Sequence, residues 1–106
     1  MVVHPQEAKA VSAEPGVSRK VLAYGGKLMY VEFSFAKGAR GNLHTHPHEQ
    51  VSYVAKGSFI YTIEGESYRM ALGDSIAVPS GALHGVEALE EGVLLDCFTP
   101  IRQEFL

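Results

Sequence analysis

Met29, Val31, Phe33 and Phe35 alternate with Tyr30, Glu32 and Ser34, a period of two that predicts a strand with one buried face. Val51, Tyr53 and Ala55 repeat the alternation, and Phe59, Tyr61 and Ile63 repeat it again beyond Gly57, so each trio is expected on a buried face. Residues 17–24, 67–71, 75–78, 84–89 and 93–99 also read as strands. Gly25-Gly26, Glu64-Gly65-Glu66, Gly73-Asp74 and Glu91-Gly92 fall where the chain must turn between them. Eleven glycines and five prolines leave no amphipathic helical stretch of useful length. Only residues 6–13 resemble a short helix, which Pro15-Gly16 would end. Short strands on even spacing must pack face to face or close on themselves, so the expected fold is all-β, a sandwich or barrel. Residues 1–16 are the most polar and are expected to be a loose lead-in to a single domain over 17–106.

Composition narrows the class. A chain of 106 residues is one domain, and an apolar content of 46% suffices for one core. A charged content of 20% with a net charge of -3 argues against disorder. The mild acidity and lack of a Lys/Arg cluster exclude nucleic acid as the expected partner. No apolar run approaches the roughly 18 residues of a membrane span, and the opening Met1-Val2-Val3-His4-Pro5 has no signal-peptide pattern. The single Cys97 rules out an internal disulfide, and a cytoplasmic location is expected.

The chemistry concentrates in Leu43-His44-Thr45-His46-Pro47-His48-Glu49-Gln50. If residues 43–46 are a strand, His44 and His46 project from one face as a two-point metal grip. Gln50 follows the bend at Pro47, where the chain can return to the same pocket, and His84 is a fourth candidate donor. Glu49 would point away from Gln50 in an extended chain. His4 and His48 have no partner in this pattern and are read as ordinary histidines. Asp96 and Phe98 share a strand face, with Cys97 on the other. A carboxylate among Leu94, Leu95 and Phe98 would cost several kcal/mol to bury unpaired. Asp96 therefore needs Arg102, a metal-bound water or a raised pKa, and an ordinary structural Asp96–Arg102 ion pair also satisfies the sequence.

Gly38, His44-x-His46, the Gln50 position and Gly57 resemble the first cupin motif; Gly73, Pro79-x-Gly81 and His84 resemble the second, 15 residues after the first. The resemblance implies a double-stranded β-helix, or jelly-roll barrel, with a divalent metal (nickel, zinc, manganese or iron) at its mouth. Two positions depart from it: Gln50 stands where a Glu is usual, and Ala88 where an Asn is usual. Three neutral imidazoles and an amide leave the ion's charge uncompensated, which suits Lewis-acid chemistry and an anionic substrate better than oxygen activation.

Ser18-Arg19-Lys20 through Tyr24, His44-x-His46-Pro47-His48-Glu49-Gln50, Pro79-Ser80 through His84-Gly85-Val86, and Asp96-x-Phe98-Thr99-Pro100-x-Arg102-x-x-Phe105 together resemble the KdgF group of small cupins. That resemblance implies ring opening of 4,5-unsaturated monouronates in pectin or alginate breakdown, an isomerase- or lyase-type reaction. It implies His44, His46, Gln50 and His84 as metal ligands, Asp96, Phe98 and Arg102 as the catalytic cluster, and a homodimer. An edge strand over 17–24 is where a two-fold pairing is expected. A small Fe(II) redox cupin and a non-catalytic sugar-binding cupin are the competing readings.

Overall fold

The computed structural model describes all 106 residues. Ten strands follow one another: β1 (Val11–Glu14), β2 (Val17–Tyr24), β3 (Met29–Phe35), β4 (Arg40–His44), β5 (Glu49–Lys56), β6 (Ser58–Ile63), β7 (Glu66–Ala71), β8 (Ser75–Val78), β9 (His84–Ala88) and β10 (Gly92–Thr99). The helical residues are two 3-10 turns, Pro5–Glu7 and Gln103–Phe105. The strands form two sheets in the orders β1-β2-β3-β10-β5-β8 and β4-β9-β6-β7, with every pair antiparallel. β10 sits between β3 and β5, and β9 between β4 and β6, which are the crossing connections of a jelly roll. The expected all-β double-stranded β-helix is the fold observed.

The inner faces make the core. Phe59 and Phe35 meet edge to face at 5.2 Å, with Val54, Val78 and Leu94 buried around them. Truncating Phe59 to Ala at such a site costs about 3–5 kcal/mol. A second cluster of Met29, Val31 and Phe98 packs against Phe33, Ile101 and Phe105 from the C-terminal turn. Gly57 joins β5 to β6 at φ 79°, and a Cβ there would lie 2.6 Å from the Glu91 carbonyl oxygen. Both the conformation and the close approach require glycine.

Four expectations are corrected. In β5 the buried residues are Gln50, Ser52 and Val54, whereas Val51 and Tyr53 are 47% and 45% exposed and Ala55 is half-buried. The alternation was right and its phase inverted, because the inner face of β5 carries the polar lining of a site. Residues 6–13 are no helix: one 3-10 turn gives way to β1. Residues 1–16 are not loose throughout, since β1 pairs with β2, and the Glu14 carboxylate accepts a hydrogen bond of 3.1 Å from the Asn42 backbone N–H. The sheet therefore ends at β1 and β8, and β2 is not an edge.

Candidate metal centre

His44, His46 and His84 bring one ligand atom each to within 4.8 Å of one another. His44 ends β4, and His46 lies just beyond it rather than on the expected longer strand. The β4–β9 ladder pairs Gly41 with Val86 and His44 with His84, so β4 holds one extra residue between those rungs. Such a bulge re-aims the side chain that follows it. The His44 and His84 rings lie 4.4 Å apart as a result.

Each imidazole is fixed by its own backbone. His44 Nδ1 lies 2.7 Å from the Asn42 carbonyl, His46 Nδ1 3.1 Å from the His48 carbonyl, and His84 Nδ1 2.9 Å from the Ala82 carbonyl. A carbonyl only accepts, so each Nδ1 carries the proton and each Nε2 presents a lone pair. The segments are themselves clamped together. The Gly81 N–H donates to the His46 carbonyl at 3.0 Å, and the Ser80 hydroxyl donates to the Pro47 carbonyl at 2.6 Å. Gly81 has φ 78°, a value that side chains other than glycine's rarely tolerate.

Gln50 could supply a fourth donor. Its amide nitrogen faces Tyr61 Oη at 2.9 Å, Ser52 Oγ at 3.2 Å and Asp96 Oδ2 at 3.4 Å, which turns Oε1 towards His46 Nε2, 2.8 Å away. Burial pushes the His46 pKa down to about 4, with Arg102 and His84 adding to the effect, so the ring is neutral at pH 7. Two lone pairs thus face each other at hydrogen-bond distance. A cation resolves that repulsion, and the residues present fit a divalent ion held by three imidazoles and one amide oxygen.

His44, Gln50 and His84 open into a cavity of about 230 Å³ that Asp96, Phe98 and Arg102 also line. Asp96, on β10, is 6% exposed, and its Oδ1 has no hydrogen-bond partner. Burial raises its pKa to about 7, against opposing effects of Ser52 and Arg102. Phe98 touches His46 edge on, with ring centres 5.9 Å apart. Arg102 does not pair with Asp96. It bonds Glu104 through Nε and Nη2, both at 3.0 Å from Oε2, and lies over the rings of Phe98 and Phe105. The Asp96–Arg102 ion pair is therefore not formed, and burial holds the Asp96 carboxyl above the usual carboxylate range.

The cupin domain family matches residues 31–98. The chain is 46% identical over 93 residues to the pectin degradation protein KdgF of Dickeya dadantii, covering 86% of this chain and 84% of that one. This chain belongs to the cupin family, in its KdgF group. The structure of KdgF from Halomonas sp. superposes with a TM-score of 0.94 at 36% identity, covering 100% of this cupin and 98% of that chain. An RmlC-like cupin from Shewanella frigidimarina does so at 0.94 and 34%, covering 99% and 95%.

Within this cupin, the position usually held by Asn is Ala88, buried on β9 opposite Phe59. It serves the core and not the cavity. Sequence reasoning assigned no role to Ser52 or Tyr61, which orient Gln50, nor to Glu14 and Arg19, which line the cavity. Placing Ser52 inside required the correct phase of β5. His48, read as ordinary, supplies the carbonyl that holds His46.

Proposed function

We propose that this cupin opens the ring of 4,5-unsaturated monouronates to give linear 5-keto-4-deoxyuronates in pectin or alginate breakdown. The observation that carries the reading is Asp96: a buried carboxyl with a free oxygen and a pKa near 7, lining the same cavity as His44, Gln50 and His84. The name of the Dickeya relative, a pectin degradation protein, supports the same substrate class.

The substrate is a cyclic hemiacetal with a C4–C5 double bond. As the proton leaves the C1 hydroxyl, C1 becomes an aldehyde and the C1–ring oxygen bond breaks. The ring oxygen keeps the electron pair as a C5 enolate, and protonation at C4 converts that enolate to the ketone. Nothing is gained or lost, so the reaction is an isomerisation. A pKa near 7 lets Asp96 both take the C1 hydroxyl proton and return one to C4. A divalent ion held by His44, His46, Gln50 and His84 would supply Lewis-acid stabilisation of the developing negative charge. Phe98 walls the sugar and keeps bulk water from Asp96. Arg102, fixed by Glu104 and two aromatic rings, holds a positive charge near the carboxyl. The neutral Gln50 counts against the Fe(II) redox reading, whose usual ligand set includes a carboxylate.

The deciding experiment mixes metal-loaded protein with lyase-generated 4,5-unsaturated monouronate and follows the loss of its absorbance or proton resonances. Acceleration that chelator and Asp96→Asn both abolish supports the reaction. A metal-loaded, folded protein with no acceleration overturns it in favour of a binding cupin.

A homodimer and a cytoplasmic location belong to the same reading. With β2 covered by β1, what supports pairing is the outer face of the six-stranded sheet, where the exposed Tyr30 and Val51 flank Cys97 across the ladder. A Val51→Glu, Tyr53→Glu variant that sediments unchanged from the wild type would remove that support. The free Cys97 suits a reducing compartment.

A further inference from the structure

Resting on the proposed reaction, we infer that Arg19 is the residue that binds the substrate carboxylate. Arg19 lies on β2 opposite Phe33, on the inward face that also carries Val17, and it lines the same cavity as Gln50, His84 and Asp96. The two arginines of this cavity differ in one respect. Arg102 has its donors engaged by Glu104, two of its nitrogens lying 3.0 Å from one carboxylate oxygen. Arg19 has no ion pair and no side-chain hydrogen bond; its guanidinium lies over the Phe105 ring, 4.2 Å from the centroid. A half-buried guanidinium turned inward among apolar side chains loses hydration that a ring face replaces only in part. Its planar fork of donors is therefore left for a ligand, and a carboxylate is the group that fits it in two bonds.

The placement suits one sugar ring. β2 is two strands from the β10 strand that carries Asp96, about 10 Å at the usual strand spacing. An arginine side chain and one ring span that gap, setting the carboxylate on Arg19 while the ring lies against Asp96 and the metal donors. The Phe105 ring that carries the Arg19 guanidinium also lies against Arg102, 4.3 Å from its centroid.

The test compares wild type, Arg19→Met and Arg19→Lys on the unsaturated monouronate and on its neutral methyl ester. Loss of a charged, two-bond contact should raise KM for the acid about 10- to 100-fold in Arg19→Met, with kcat changed no more than about threefold. Arg19→Lys should recover part of the loss, having charge without the fork. Neither variant should change KM for the ester. Equal losses on acid and ester, or no loss on either, would show that Arg19 only packs against Phe105 and would overturn the inference. If Arg19→Met does not fold, the same contrast in Arg19→Lys decides: a several-fold rise in KM confined to the acid supports it, and its absence overturns it. If the wild type does not turn the sugar over, the proposed reaction fails separately. Calorimetric titration of the same acid then decides, weaker binding in the variants supporting Arg19 and unchanged or absent binding overturning it.

Discussion

His44 stands directly across the ladder from His84, although two residues of β4 lie between it and Gly41 while only one of β9 lies between His84 and Val86. The two rings are brought together by one extra residue in the chain, and they should contribute comparably. His44→Ala and His84→Ala should each weaken metal binding by more than the roughly 10–100-fold typical of losing an outer-shell partner. Metal content after dialysis, with circular dichroism as the folding control, checks this; full occupancy in either variant would remove that histidine from the donor set.

Asp96→Asn keeps the shape of the buried side chain and removes the proton carrier. Turnover should fall about 10²–10⁴-fold, the usual contribution of a positioned acid or base, with metal content unchanged. Loss of metal together with activity would mean that Asp96 acts through Gln50 rather than on the substrate.

The metal-free protein should show two opposed pH dependences. Asp96 rises from 3.8 to about 7 on folding, so its effect is most favourable below about pH 4 and is lost as pH rises to 7. His46 falls from 6.5 to about 4, so its effect is fully present above 6.5 and is lost as pH falls to 4. The two nearly cancel in the wild type between those limits. Asp96→Asn should match the wild type below pH 4 and exceed it by about 4 kcal/mol at pH 7. Urea denaturation of chelated samples at several pH values reads the difference directly, and parallel curves would refute the raised carboxyl pKa.

Gln50→Glu restores the carboxylate usual in cupins and places it beside Asp96, 3.4 Å from the present amide nitrogen. Two neighbouring carboxyls raise each other's pKa, and the ion's charge is partly cancelled. Metal should bind at least as tightly while turnover drops about tenfold or more. Undiminished turnover would show that the neutral amide is not what the reaction needs.

Ser80→Ala removes the hydroxyl that holds the Pro47 carbonyl at 2.6 Å. A loss of about 0.5–1.5 kcal/mol is expected, with weaker metal binding because His46 is then held only through Gly81 and His48. A thermal melt and a metal titration on one preparation measure both effects.

Most of this was legible in the sequence, for a physical reason. Strand periodicity is a local property, so β2, β3 and β8 could be read within their own residues, and His44, His46 and His84 stood out by residue type. The phase of β5 was not local: Val51 and Tyr53 are the more apolar pair, yet Gln50 and Ser52 face inward because the opposite sheet brings Tyr61 to meet them. The pairing of β1 with β2 was likewise hidden, since four half-polar residues give no alternation until a partner strand exists. Arg102, turning back beyond Pro100, was one of three ways the sequence offered to satisfy Asp96. The fold gives it Glu104 instead, two residues away and outside the buried face of β10.

All three imidazoles are tethered to main-chain carbonyls no more than two residues away in sequence. The pocket is therefore a stencil cut by the course of the polypeptide itself. An ion of unsuitable radius or coordination preference cannot be accommodated by swinging one ring aside; it must bend the backbone that frames it. Discrimination among ions would then lie in the path of the chain, and variants that alter it are expected in the turns around Pro47 and Gly81 as well as among the histidines.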